Sequence, residues 1–419
     1  MTGSSAARIV RVECPPVGRR RKEAMMRTYR LALVLAALGA AAGCRHKEVV
    51  KDYARPLPPG ASGLRKITDP AELPDLKAAY ASIDNSLNEA LDRSIAWTAK
   101  PSAAQHFPAA GISFDHAVRS LKAFRKLLDT CASAADFEQR VLEDFDVYTS
   151  VGWDGSGTVL FTGYYSPVFN ASGEKTVEYR YPLYTRPPDL VVDPATGETR
   201  GRRAGGALVP YATRTEIENS RMLEGRELVW LKDKFSAYII HVNGSAKLVL
   251  PDGGTLYVGY AGNNGHPYTS IGDILVREKK LDPGKKGLAA MRDFFAKNPA
   301  QVDHYLHRND RFVFFQEYTS ENWPAGSLGF KVTQERTLAT DKSVFPRAGM
   351  TLVRTRINGE SGEKRPFLRF MLDQDTGGAI RAAGRADIYM GIGPKAELLA
   401  GRQSEEGRMY YFFLKPGKA

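Results

Sequence analysis

The sequence predicts a mainly β protein with helices at its N-terminal end, in which one strand-rich domain is interrupted by a second, smaller barrel. Three observations predict it. Helical periodicity runs to about residue 150, and from about Trp153 short β-prone runs alternate with Gly, Pro, Asn and Asp turns. Helical periodicity then returns in "LAAMRDFFAKNPAQVDHYLHRN" before strands resume to the C-terminus. Such an order describes a domain with an insert, and two bodies of this kind leave a groove between them, a favoured place for ligands.

Taken in order, the chain of 419 residues, enough for two or three domains, opens on an export signal. "RRRKEAMMRTYR" is a basic segment, Leu31 to Gly43 is an apolar run, and Cys44 follows at once. That run falls short of the roughly 20 residues needed to span a bilayer, so it reads as a secretory signal. Met25 and Met26 each offer a start, which makes residues 1–24 an extension. "AAAGC" resembles a bacterial lipobox, with Ala41 at the position where leucine is usual. Cleavage there leaves Cys44 to be lipidated; ordinary signal cleavage nearby is the alternative. With Cys14 in the removed part and Cys44 acylated, Cys131 stands alone and no internal disulfide is expected.

The net charge of +12 overstates the mature protein, because residues 1–43 contribute +6 of it. The remaining +6 suits an anionic polymer or a membrane surface. No stripe of Lys and Arg interleaved with aromatics argues for nucleic acid.

Residues 44–65 are polar and proline-rich and read as a tether. In "LPDLKAAYASIDNSLNEALDRSIAWTA", Leu76, Tyr80, Ile83, Leu87 and Leu91 keep helical spacing. A second helix begins behind Ser113 as N-cap, and "SAADFEQRVLEDFDVYTS" makes a third. The runs "TVLFTGYYSPVF", "YRYPLYTRPPDLVV", "FSAYIIHV" and "AKLVLPDGGTLYVGYAG" read as strands, with "TRTEIENSRML" a helix among them, and "DRFVFFQEY" to "MYYFFLKP" as strands again.

Three aspartates, Asp373, Asp375 and Asp387, lie along "RFMLDQDTGGAIRAAGRADIYMGIG", where an unpaired carboxylate is costly to desolvate. If "FMLDQD" is extended, Asp373 and Asp375 share a face. Gly377 and Gly378 free the backbone to turn tightly. "RADIYMG" then returns beside the first strand and brings Asp387 near Asp375. Clustered, buried carboxylates raise one another's proton affinity, so one of them is positioned to hold a proton near neutrality as a general acid must. The alternative is that they cap turns.

"DTGGAIRAAGRADIYMGIGPKAELLAG" resembles the C-terminal signature of the membrane-bound lytic murein transglycosylase A family. The upstream segments "LFTGYYSPVF", "YPLYTRPPDL", "VPYATRTEIE", "VLPDGGTLYVGYAGNNGHPYTSIGDIL", "RFVFFQE" and "PAGSLGFKVTQERTLATDKSVFPRAGM" agree in order. The resemblance spans about residues 115 to 415. It implies a double-psi β-barrel carrying three aspartates, which map to Asp341, Asp375 and Asp387, with Asp373 additional and Asp375 matching the family's single catalytic acid. It implies an inserted smaller barrel, a glycan strand in the groove, no cofactor or metal, a monomer, and a lipid anchor on the periplasmic face of the outer membrane. The implied layout is residues 66–165 and 306–419 for the catalytic domain and 166–305 for the insert.

In "FTGYYSP", Tyr164 and Tyr165 offer faces for sugar stacking and Gly163 permits close approach. Thr162 adds a hydroxyl. These four residues, with Gly377 and Gly378, are the expected substrate-binding residues; an aromatic-rich core strand is the plainer reading. Family members usually carry Glu where Ser166 stands, and "HVNGSAKL" departs from the family at Ala246. His266 reads as a hydrogen-bonded loop histidine. No metal-ligand spacing, phosphate-cradling glycine loop or Gly-x-Ser-x-Gly elbow is present. A glycoside hydrolase and a non-enzymatic peptidoglycan-binding lipoprotein remain the rival readings.

Overall fold

The computed structural model describes residues 51–194, 197–284 and 287–418. The signal sequence and Cys44 lie outside the described residues. The chain enters with strand β1 (Leu64–Lys66) and four helices, Leu76–Tyr80, Asn85–Thr98, Phe114–Thr130 and Ala134–Asp144, then β2 (Phe145–Ser150) and β3 (Val159–Ser166). The insert follows with β4 (Val168–Ser172), β5 (Tyr181–Tyr184), β6 (Leu190–Val192), β7 (Thr199–Ala204), β8 (Ala207–Val209), β9 (Glu227–Leu231), β10 (Ser245–Val249), β11 (Thr255–Asn263) and β12 (Val313–Tyr318). The chain then returns with β13 (Thr337–Ala339), β14 (Met350–Asn358), β15 (Lys364–Asp375), β16 (Arg385–Ile392) and β17 (Ser404–Leu414).

The main sheet runs β1-β2-β17-β14-β15-β13-β16-β3, and β17 also pairs with β3. The ladder therefore returns on itself through six strands, β3, β16, β13, β15, β14 and β17. The pairs β13–β15 and β16–β3 are parallel, and the other pairs of the ring are antiparallel. Ser404–Gly407 of β17 pairs with β3 while Arg408–Tyr411 pairs with β14, so one long strand serves both sides of the closure. The insert sheet runs β12-β11-β10-β4-β9-β5, and a bridge between Thr185 and Phe315 brings its two edges together. Closing a sheet in this way removes exposed edges.

The four N-terminal helices cover one face of the ring. Each apolar stripe turns inward, and at its centre Phe124 and Phe137 meet Phe370 while Phe124 also meets Phe145 and Phe412, all nearly inaccessible to water. Helix starts follow the sequence. Asp84, Ser113 and Ser133 accept from the backbone N–H of Leu87, His116 and Asp136. Because Asp84 caps, the single helix expected through Leu76, Ile83 and Leu91 is two, with Ile83 in the turn between them.

Three expectations shift. "FSAYIIHV" is not a strand but lies within helix Lys234–Asn243, capped by Asp233 and closed by Gly244 at φ 75°. A short apolar run fits a buried helix as well as a strand, and here the cap and the left-handed glycine decide. The expected tether through residue 65 ends earlier, since Leu64 and Arg65 already pair with Ser150 and Thr149. The return from the insert comes later than residue 306, because β12 still pairs with β11 from Asn263–Val313 to Tyr257–Tyr318. Cys131 ends helix Phe114–Thr130 as a free thiol.

Candidate active site

Ala339 of β13 is the register partner of Asp375 on one side and of Asp387 on the other, and Asp387 is in turn opposite Thr162. Asp375, Ala339, Asp387 and Thr162 thus form one row across four strands. The expected direct pairing of the Asp387 strand with the Asp375 strand is replaced by β13 lying between them. Two strand spacings put the backbones of the two aspartates about 10 Å apart.

A bulge re-aims Asp375. Leu338 faces Asp373 while the next residue, Ala339, faces Asp375, so Gln374 is the extra residue. Its amide is buried, giving hydrogen bonds to Ala90 O (2.7 Å) and Ser94 Oγ (3.0 Å) and accepting one from Thr337 (2.8 Å). With Gln374 anchored on helix Asn85–Thr98, the Asp375 carboxyl is presented on the other side. It accepts from the backbone N–H of Ser327 and of Thr376 at Oδ1 and from the Tyr164 hydroxyl at Oδ2, each at 2.8 Å.

Ser327 is brought there by a strap between β12 and β13. A side chain on Gly326 would place its Cβ 3.1 Å from the Asp375 carboxyl carbon and 3.0 Å from Gln374 O, so only glycine lets the strap come this close. At its other end the strap is tied to the insert by Trp323 Nε1 donating to Val258 O (3.1 Å). The loop after Asp375 also reaches the insert, since a Cβ on Gly378 would lie 3.3 Å from Arg311 Nε and 3.5 Å from Tyr268 Cβ. Asp375 therefore sits where ring and insert meet.

Protein atoms crowd the Asp375 carboxyl while the residue keeps some surface open to solvent. Burial pushes its proton affinity above the usual carboxylate range. The Ser327 and Thr376 amides, the Tyr164 hydroxyl and the Lys342 ammonium oppose the shift without cancelling it. The raised affinity thus comes from desolvation and not from a neighbouring carboxylate.

The other aspartates are fully engaged. Asp387 accepts from Thr162 Oγ1 and from Arg385 Nε (3.2 Å), and Arg385 also reaches Thr162 Oγ1 (3.2 Å) and Ala379 O (3.2 Å). Asp341 accepts from Ser343 N (2.9 Å), Ser343 Oγ (2.6 Å) and Ala382 N (2.7 Å), which fixes the loop at Ala382, a non-glycine residue at φ 62°. Asp373 is wholly buried, ion-paired to Lys342 and hydrogen-bonded by Thr340 Oγ1 (2.8 Å) and Tyr411 OH (2.8 Å).

Strand alternation divides the "FTGYY" residues. Thr162 and Tyr164 face the row of aspartates, and the Tyr164 ring leans on Tyr389 at 5.1 Å. Tyr165 points the opposite way into the core with Ala396 and Ala400 and is 3% exposed, so its ring offers no face to a sugar. Gly163 belongs to that same side, where a Cβ would stand 2.8 Å from Ala400 Cα; its lack of a side chain admits helix Gly393–Arg402. Gly377 lies against Ile380. Ser166 is buried, accepting from Tyr389 OH (3.0 Å) and 3.4 Å from Ser245 Oγ. Ala246 is core of the insert, and the His266 ring bonds Tyr211 O at 2.9 Å.

Sequence reading missed Ser327, Gly326 and Lys342. Ser327 acts through its backbone and leaves no side-chain signal, whereas "PAGSLGF" and "TDKS" fall within the quoted family segments and marked the neighbourhood.

Fold and site define a two-body β protein with one carboxyl, served by three donors, at the junction of ring and insert. Residues 160–316 match the family model of the MltA specific insert domain and residues 336–413 that of the 3D domain. The membrane-bound lytic murein transglycosylase A of Escherichia coli (strain K12) is 30% identical over 276 residues, 65% of this chain and 70% of that protein. That of Vibrio cholerae serotype O1 is 31% identical over 263 residues, 62% and 66% of the two chains. In structure, the membrane-bound lytic murein transglycosylase from Agrobacterium tumefaciens superimposes with a TM-score of 0.69 at 25% identity, covering 84% of this chain and 98% of that one. Escherichia coli MltA with bound chitohexaose shares the fold, with a TM-score of 0.64 at 24% identity and coverage of 88% and 97%. The chain belongs to the membrane-bound lytic murein transglycosylase A family.

Proposed function

We propose that this protein is a lytic murein transglycosylase whose single acid is Asp375. The observation that carries the assignment of Asp375 is its carboxyl, buried at the ring–insert junction, raised in proton affinity, and held by the Tyr164 hydroxyl and two backbone N–H groups. Family membership supplies the reaction. Protonated Asp375 gives its proton to the oxygen joining N-acetylmuramic acid to N-acetylglucosamine, and the muramic C1–O bond breaks. The muramic 6-hydroxyl oxygen bonds to C1, and Asp375, now ionised, takes the proton that this hydroxyl sheds. No water is consumed and the acid is restored. An intramolecular nucleophile has a high effective concentration, so no second carboxylate is required to attack. Asp387 is left to hold Thr162, and Asp341 the loop at Ala382.

Mass spectrometry of products from purified sacculi tests this: each new end should be a 1,6-anhydromuramic acid, lighter by one water than a hydrolysed end. Hydrolysed ends would make the protein a glycoside hydrolase, in which a second carboxylate and a water do the work. Binding of sacculi without cleavage would leave a peptidoglycan-binding lipoprotein.

Lipidation of Cys44 is the reading we favour for membrane attachment. It is supported by the apolar run ending in "AAAGC" and by Arg45, in place of an inner-membrane-retaining aspartate, which favours the outer membrane. Among the described residues no helix is long and apolar enough to cross a membrane. Cys44→Ala should move the protein from the membrane to the soluble fraction, since it removes every acyl chain that a lipidated Cys44 would carry and stable anchoring depends on more than one such signal. Continued co-sedimentation with membranes would place the anchor elsewhere.

A further inference from the structure

Behind Asp375 lies an ion pair that the reaction scheme leaves unused. Lys342 has a side chain 5% exposed, ion-paired with the fully buried Asp373 and donating to Thr340 Oγ1 at 3.0 Å. Asp373 is held from the far side by Tyr411 OH (2.8 Å) and by Thr340 Oγ1. The lysine segment is fastened to Asp375 itself, because Thr340 N donates to Asp375 O (3.1 Å) and Thr376 Oγ1 donates to Thr340 O (2.8 Å). Burying a lysine this deeply is costly, and removing one partner of such a pair leaves an uncompensated buried charge.

Resting on the assignment of Asp375 as the acid, we propose that Lys342 is a positioning residue for the reaction: clamped by Asp373 and Thr340, it is the fixed countercharge for the carboxylate that Asp375 becomes after giving up its proton. Preorganised charge aimed at where charge develops lowers a barrier without reorganisation at the moment of reaction. Asp373 has two effects here. It holds the proton on Lys342, whose own affinity burial pulls below the usual lysine range, and it screens Lys342 so that the proton affinity of Asp375 stays raised.

The charged and titratable groups around the pair are few. Tyr164 and Tyr389 face Asp375, Asp387 with its Arg385 partner stands two strands away in the same row, and Tyr411 and Arg347 face the Lys342–Asp373 pair. Burial raises all three tyrosines, so they stay neutral through the working range, and Lys342 is the cation that acts on Asp375.

The test is the pH profile of kcat/KM on purified sacculi, whose alkaline limb reports loss of the Asp375 proton. Lys342→Met should move that limb up by about one pH unit and slow the reaction below it, because an opposite charge nearby lowers a carboxyl by about 1–3 units. Asp373→Asn should move it down, since Lys342 is then unscreened. Lys342→Arg should leave it in place. Opposite shifts are a result that loss of packing does not produce.

Should either single variant fail to fold, Lys342→Met combined with Asp373→Asn removes both charges together and should still move the limb up. In the wild-type protein, the 15N resonance of Lys342, assigned by its loss in Lys342→Arg, should be that of an ammonium at neutral pH. Shifts in the same direction, an unmoved limb in the folded double variant, or a neutral Lys342 amine overturns the proposal. Cleavage by Asp375→Asn would instead overturn the acid assignment on which it rests.

Discussion

Asp375→Asn should reduce cleavage of sacculi by about 10⁴-fold, the upper end of what a positioned acid–base group contributes, because one carboxyl serves both proton transfers. The substitution is nearly isosteric. Its amide oxygen still accepts from the Ser327 and Thr376 backbones, and its NH₂ meets a Tyr164 hydroxyl that then accepts instead of donating. Glycan binding should therefore persist.

Stability carries an independent sign. The Asp375 carboxyl has a higher proton affinity folded than unfolded, so between the two values the folded chain binds more protons and loses stability as pH rises. Above that window the wild type bears the cost of a buried carboxylate, which asparagine removes. The variant should melt at neutral pH no lower than the wild type, and slightly higher if the Tyr164 contact adapts. By the same sign, wild-type cleavage should fall as pH rises through the Asp375 value, because the form that gives the proton is lost. A variant that keeps more than a few per cent of activity would remove Asp375 from its role; one that is inactive only because it melts early would show it in calorimetry.

The sequence marked this carboxyl and left its surroundings hidden for a physical reason. Local signals were enough where the determinant is local. Ser113 announced a helix start, and the Pro, Asp and Gly within "AKLVLPDGGTLYVGYAG" fall between β10 and β11, whereas Asp84 capped a helix start that the periodicity had run through. The expected shared face of Asp373 and Asp375 rested on a regular strand, and Gln374 breaks that regularity. The bulge is fixed by bonds to Ala90 and Ser94, which lie 284 and 280 residues away along the chain. Likewise, β13 contributes only three residues, too few to read as a strand, yet it separates Asp375 from Asp387. Tyr164 and Tyr165 look equivalent in sequence; alternation sends one to the carboxyl and the other to the core.

Arg336 links that distant helix layer to the strand carrying Asp375, and its loss should be the most destabilising single change we can name. Its side chain is fully buried, with Nε donating to Ser86 Oγ (2.9 Å) and the guanidinium nitrogens to Phe370 O (2.7 Å) and Ser82 O, and an ion pair to Asp84 at 3.0 Å. Its own backbone O accepts from Leu372 N (2.7 Å), next to the bulge. Arg336→Met keeps the length and removes every donor, stranding two carbonyls at about 1–3 kcal/mol each, or roughly 3–5 kcal/mol with the hydroxyl and the ion pair. Tm should fall by on the order of 10 °C at the few degrees per kcal/mol expected for a chain of this size. Asp84→Ala, which removes the half-exposed ion-pair partner and the helix cap together, should cost only about 1–2 kcal/mol. If the two variants melt alike, the stability resides in the ion pair and the cap; a much lower Tm for Arg336→Met alone assigns it to the buried carbonyls.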